Sequence, residues 1–188
     1  LGSNSLTELL VFGKVAGVEA ARNAKSVAQG NSASLLKQAQ AIEQRVMALK
    51  TKTGGTEKIS VIRKEMVKSM EDGCGIYRMH DSMQATCDKL AELRERFANI
   101  ELDDKSNLWN TEWLSAIELD YQLDVAQTIV HSAINRKESR GAHQRLDEGC
   151  TERDDVNFLK HALAFRDADG TTRLEYSDVK ITTLPPAK

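Results

Sequence analysis

Proline is nearly missing from this sequence: there are two in 188 residues, Pro185 and Pro186, both at the C-terminal end. Aromatic residues make up only 5%. Sandwiches and barrels draw on aromatic and β-branched strands joined by proline-containing turns, so both shortages argue against them and for helices. No apolar run reaches the roughly 18 residues that would mark a bilayer-spanning helix. A surplus of one charge is lacking too. Lys and Arg number 26 against 28 Asp and Glu, a net charge of −2, and counterion release requires a concentrated basic surface, so nucleic acid is not expected as a partner. Cysteine is sparse and odd in number. Cys74, Cys87 and Cys150 form no C-x-x-C pair and follow no secretory signal, which fits a reducing compartment. Residue 1 is a leucine leading into an apolar segment, so the chain is expected to be a piece of a longer protein.

What is present is helical periodicity. Ser5-Leu-Thr-Glu8 has the spacing of a capping box, with Ser5 set to accept the Glu8 amide. Leu9, Leu10, Val11 and Phe12 then cover most of a helix circumference, while Gly13, Ala16, Gly17, Ala20, Ala21 and Ala24 form a small-residue stripe. A helix apolar on all sides has to be wrapped, and the stripe predicts one close neighbour. After the polar break at residues 29–33, Leu35, Ala39, Ile42, Val46 and Leu49 predict a second helix. Ile59, Ile62, Met66 and Met70 predict a third, closed by Gly73-Cys-Gly75. Asp81 is expected to cap a fourth that carries Met83, Cys87, Leu90, Arg94 and Phe97, with the Arg94 stem taking a core position.

Narrow stripes of this kind suit antiparallel neighbours in a bundle of the three-helix, spectrin-repeat type, packed at about 20°. The stretch from Asn110 to Arg136 is different, because it carries two apolar stripes. Ala116, Leu119, Leu123, Ala126, Val130 and Ala133 make one; Trp113, Ile117, Tyr121, Val125 and Ile129 make the other. Two faces require two partners. Phe158 to Arg166 and Thr171 to Tyr176 predict a β-hairpin turning at Asp169-Gly170. The fold class is therefore mainly α: a helical bundle followed by a small α+β region with a hairpin.

The familiar catalytic templates do not occur: no G-x-S-x-G, phosphate loop, H-E-x-x-H or G-x-G-x-x-G. The cysteines and four histidines have no metal-ligand spacing, and Asp167-x-Asp169-Gly170 supplies too few oxygens for a calcium loop. No metal ligand and no catalytic residue is assigned. Two segments carry chemistry. Leu1-Gly-Ser-Asn-Ser-Leu6 lies on the first turn of a helix, where free amides suit either an anionic group or an ordinary cap. Arg136-Lys-Glu-Ser-Arg-Gly-Ala-His-Gln-Arg145 holds four basic residues against one acid and precedes the acidic run from Asp147 to Asp155. It suits either an anion clamp or an ion-pair network with that run.

The two segments also carry a resemblance. Leu1-Gly-Ser-Asn-Ser-Leu-Thr-Glu-Leu-Leu-Val-Phe-Gly13 resembles the last flavin-contacting segment of the succinate dehydrogenase and fumarate reductase flavoproteins, and Arg136-Lys-Glu-Ser-Arg-Gly-Ala-His143 resembles their C-terminal signature. Residues 144–160, and on through Asp169-Gly-Thr-Thr-Arg-Leu-Glu-Tyr176 to Pro186, are similar to the bacterial quinol-linked fumarate reductase branch. The resemblance implies the C-terminal third of a subunit in which covalent FAD, reduced through an iron-sulfur subunit, gives a hydride to fumarate while an arginine supplies the proton. The flavin-carrying histidine, that arginine and the substrate clamp would all lie before residue 1.

Carried over as flavin contacts are Leu1, Gly2, Ser3, Asn4, Ser5, Leu6 and Thr7. The implied divisions are residues 1–28 as the last helix of the flavin domain, 29–138 as the bundle and 139–188 as the hairpin region. The implied partners are an iron-sulfur subunit, membrane anchor subunits and a flavin-attachment assembly factor, at the cytoplasmic face of a bacterial inner membrane. Taken alone, the chain is expected to bind no FAD, to be inactive and to self-associate through residues 5–24. The alternative is a non-catalytic docking scaffold for the iron-sulfur subunit or the assembly factor.

Overall fold

The computed structural model describes residues 4–28 and 30–183. Two units divide the chain, residues 1–45 and residues 46–188, and the division falls within a helix. The first unit holds α1 (Asn4–Ser26) and most of α2 (Ser32–Thr51). Asn31 starts α2: its Oδ1 accepts the amides of Ala33 at 3.0 Å and Ser34 at 3.2 Å, so the polar break is a helix cap. Helix α1 begins at Asn4, which puts Ser5 inside the first turn rather than at the capping position of the expected box. No residue of α1 is buried. Leu6, Leu9, Leu10 and Phe12 are exposed, and a Cβ on Gly13 or Gly17 would meet nothing within 4 Å. The close neighbour that the small-residue stripe predicts is not found among the described residues.

The second unit is built around α3 (Ile59–Cys74), α4 (His80–Phe97) and α5 (Thr111–Asn135). Ile62, Met83, Leu90, Leu119, Leu123 and Val130 are fully buried between them. Cross-helix pairs give the directions. Glu65 of α3 meets Lys89 and Arg96 of α4, while Ser69 meets Thr86, so α3 and α4 run antiparallel. Arg94, near the end of α4, meets Asp120 and Asp124 of α5, and Arg63 near the start of α3 reaches the Ser115 carbonyl. The bundle is up-down-up, as the stripes predict. The last turn of α2 seals one end: Lys50 is buried with its ammonium 4.5 Å from the Trp113 ring centre, and Trp113 Nε1 donates to the Val46 carbonyl at 2.9 Å.

Two side chains depart from expectation. Asp81 is the second residue of α4, behind Met79, and caps nothing. Arg94 meets its expectation only in part: its side chain is mostly covered, with Nε buried, but its guanidinium turns to Asp120 and Asp124 on α5, and the fully buried residue at this level is Leu93.

The chain then adds β. β1 (Tyr77–Arg78), between α3 and α4, pairs in parallel with β2 (Gln144–Arg145). A short helix, α6 (Asp155–Phe158), is capped by Asp154, and Phe158 lies in it rather than in the expected strand. β3 (Lys160–Arg166) and β4 (Thr172–Asp178) form the antiparallel hairpin. Its turn closes through the Asp167 amide on the Thr171 carbonyl at 3.0 Å, and Gly170, at φ +87°, takes the left-handed conformation that favours glycine. The hairpin lies along α5, tied by Arg166 to Asp124 at 2.6 Å. It supplies the second neighbour that the double stripe requires, although Tyr121, Val125 and Ile129 stay 44–56% exposed.

Candidate functional site

Of the seven residues carried over as flavin contacts, Leu1, Gly2 and Ser3 lie outside the described residues. Asn4, Ser5, Leu6 and Thr7 form the first turn of α1, all exposed, with no acidic side chain in that turn. First-turn amides have no partner within the helix and carry its partial positive charge. A turn of small polar residues without a competing carboxylate is chemically suited to the electron-rich edge of a flavin.

The second segment, residues 136–155, is densely bonded. Glu138 is fully buried. Its carboxylate accepts from Arg136, from Arg140 Nε at 2.8 Å and Nη2 at 2.9 Å, and from the Asp154 amide at 2.7 Å. Burial, the largest single influence, works to raise the Glu138 pKa, yet the bonds from Arg140, the Asp154 amide and Arg136 together hold it below the usual carboxylate value. Arg140 also grips Asp155 at 2.7 Å. Arg140 and His143 exchange backbone bonds of 2.9 and 3.0 Å around Gly141, whose φ of +58° at the first central position marks a type II′ turn.

Arg145 is 2% exposed and closes the end of α5, its Nη1 reaching the carbonyls of Ile134 at 3.3 Å and Arg136 at 3.1 Å. Its Nε holds Asp147 at 2.6 Å, and Asp147 in turn accepts the first amide of α4, that of His80, at 2.7 Å. The residue types of the segment thus form the ion-pair network rather than an open clamp.

His143 joins the two strands of the parallel pair. Arg78 Nη1 lies 2.9 Å from its Nδ1, and the Arg136 carbonyl lies 3.0 Å from its Nε2. A guanidinium only donates, so Nδ1 accepts and Nε2 carries the proton. Burial first, and then the surrounding guanidinium groups, push the His143 pKa below its ordinary value despite the Nε2 bond. The ring is neutral at pH 7. Sequence reading missed Arg78 and the capping role of Asp147, since both act across the fold, and no local spacing announces a parallel pair this far apart.

Cys74 and Cys87 are buried free thiols, and burial, with the nearby Cys74 adding to it, pushes Cys87 up to about 11, so it holds no thiolate at neutral pH. Among the described residues no group of three or more His, Cys, Asp or Glu is placed to hold a metal ion.

Residues 63–188 match the family model described as fumarate reductase flavoprotein C-term. The fumarate reductase flavoprotein subunit of Escherichia coli K12 is 62% identical over all of this chain, and the chain covers 31% of that protein. The succinate dehydrogenase flavoprotein subunit of Rickettsia bellii is 34% identical over 197 aligned residues and is covered to 32%. Among solved structures, a variant of the E. coli quinol fumarate reductase superposes with a TM-score of 0.95 at 62% identity, covering all of this chain and 32% of its own. A quinol-fumarate reductase with menaquinol molecules gives 0.93 at 61%, again over all of this chain and 32% of that one. A helical bundle with an appended hairpin is thus the kind of C-terminal region that the family model describes. The chain belongs to the fumarate reductase flavoprotein C-terminal family, and it spans about a third of the length of the curated relatives it matches.

Proposed function

We propose that this chain serves as the C-terminal region of a subunit that reduces fumarate to succinate. The observation that carries the reading is the 62% identity to a fumarate reductase flavoprotein subunit along the whole chain. When bound, FAD supplies the hydride for such a reaction. The contribution of these residues is to hold it: the first-turn amides of α1, from Asn4 to Thr7 and with Leu1, Gly2 and Ser3 ahead of them, stabilise negative charge at the flavin N1 and O2 edge and bias the cofactor toward accepting electrons.

No residue of α1 is buried among the described residues, which is what the last helix of a flavin domain formed by other residues would show. We read the functional division as 1–28 for that helix, 29–138 for the bundle and 139–188 for the hairpin region. Partner subunits are an iron-sulfur protein and membrane anchors, with a flavin-attachment factor acting during assembly, at the cytoplasmic face of the inner membrane. No helix among the described residues is long and apolar enough to cross a membrane, which agrees with a peripheral place in such a complex.

The test is flavin content and fumarate turnover of the full-length flavoprotein, with and without Ser5→Asp. A carboxylate in that turn is expected to lower the flavin reduction potential and slow fumarate reduction. An unchanged potential refutes the role of α1, and a full-length protein without FAD or fumarate turnover refutes the function.

A further inference from the structure

An open cavity of about 350 Å³ lies between β1, the last turns of α5 and the Arg140–His143 turn. Arg78, Arg136 and His143 line it together with the hydroxyl-bearing Thr128 and Ser132. The four guanidinium groups of residues 136–155 all meet carboxylates: Arg136 meets Glu138, Arg140 meets Glu138 and Asp155, Arg145 meets Asp147 and Arg153 meets Asp155. Arg136 spends further donors on the carbonyls of Phe158 and Lys160.

Arg78 differs from them. It gives Nε to the Gly75 carbonyl at 3.0 Å and one Nη1 proton to a neutral imidazole, and it meets no carboxylate among the described residues. A guanidinium has five N–H donors, so three remain. Ser132 likewise has a hydroxyl without a hydrogen-bond partner among the described residues, and Thr128, whose hydroxyl donates to the Val125 carbonyl, can still accept. A half-buried guanidinium with three donors to spare at the wall of an open cavity is placed to hold an anion through charge-assisted hydrogen bonds.

We propose that this cavity is a carboxylate-binding site, with the spare fork of Arg78 as its charged donor and the Ser132 hydroxyl as a second. One uncompensated charge matches a singly charged carboxylate better than a phosphate. His143 is the positioning residue: by accepting at Nδ1 and donating at Nε2 to the Arg136 carbonyl it fixes the direction of the Arg78 fork. The carboxylate is either a free small acid or an Asp or Glu side chain from outside the described residues, and the two sources separate experimentally.

The full-length flavoprotein is treated with phenylglyoxal, and modification of Arg78 is followed by peptide mass spectrometry with acetate, phosphate or chloride at equal ionic strength. A free-acid site gives an Arg78 that is modified in chloride and protected severalfold by acetate, less by phosphate, with Arg140 and Arg145 slow throughout. A tethered carboxylate gives an Arg78 that resists modification in every salt, and a crystal structure of the same protein then shows an Asp or Glu oxygen within about 3.2 Å of its guanidinium. Modification at the same rate in all three salts overturns the proposal, as does resistance caused by apolar side chains filling the cavity.

Discussion

Arg145 and Asp147, joined at 2.6 Å, cap two different helices: the arginine closes the C-terminal carbonyls of α5 and the aspartate receives the first amide of α4. One ion pair therefore satisfies polar groups at two helix ends, and the helix dipoles favour both charges where they stand. Arg145→Met is expected to destabilise the protein by about 3–5 kcal/mol, because it strands Asp147 and frees the α5 carbonyls in a buried place. Urea unfolding should show the loss as a lower midpoint with an unchanged slope. A shift below about 1 kcal/mol would mean that water replaces the pair at little cost.

Arg140→Lys tests the fork on buried Glu138. Lysine keeps the charge but cannot reach two Glu138 oxygens and Asp155 together, so a loss of about 1–3 kcal/mol is expected, in line with a hydrogen bond to a charged group left unmade. Flavin content and fumarate turnover of the full-length protein should fall only in proportion to that loss. Normal melting with defective flavin attachment would instead reveal a role in joining domains.

Acid should weaken the protein across two pH windows. Burial lowers the pKa of both His131 and His143, so between the folded value and the ordinary 6.5 the unfolded chain binds more protons, and stability falls as pH drops below about 6.5. Glu65, held by Arg96 and then by Lys89, sits at about 2. Its contribution is complete above the ordinary value of 4.5 and is lost as pH falls toward 2. Urea midpoints measured from pH 7.5 to 3 should decline across both windows. His143→Gln should flatten the upper one, and Glu65→Gln the lower; a slope unchanged by either substitution rejects the corresponding assignment.

Gly73→Ala probes the closest approach of α3 and α4. An added Cβ would stand 2.0 Å from Thr86 Oγ1 and 2.6 Å from the Ser82 carbonyl, and the latter is backbone and cannot swing away. A cost of about 1–3 kcal/mol is expected from overpacking, with Thr86→Ala in the same molecule restoring only part of it. Thermal melting of the single and double variants decides between a rigid contact and one that relaxes.

Much of this arrangement was legible in the sequence, and what was not shares a cause. The stripe Ala116, Leu119, Leu123, Ala126, Val130 and Ala133 is buried in full because a heptad-like spacing fixes the face whatever the partner is. The hairpin was legible for the same reason: alternation and Asp169-Gly170 are local. Asp81 was a plausible cap by position, but the helix starts one residue before it: Asp147 accepts the His80 amide from the far side of the chain, and the Met83 amide that an Asp81 cap would serve bonds the Met79 carbonyl instead. Arg94 sat on an apolar stripe, and only the fold reveals two aspartates opposite it. In residues 136–155 the charges were visible while their pairing was not, since a composition that suits a clamp also suits a network. For α1, an apolar circumference predicted a cover that is not found among the described residues.

The pairing of β1 with β2 also sets an order of events during synthesis. Helices α3 and α4 can meet as soon as residue 97 has left the ribosome, since everything that joins them precedes it. The first amide of α4 and the last carbonyls of α5 cannot find their partners until residues 145 and 147 have followed. Closing contacts that distant in sequence is slow compared with winding helices. A nascent chain stalled short of residue 145 would therefore carry the three helices with both of these ends frayed, and the motif from Arg136 to Asp147 would act as the latch that finishes the bundle.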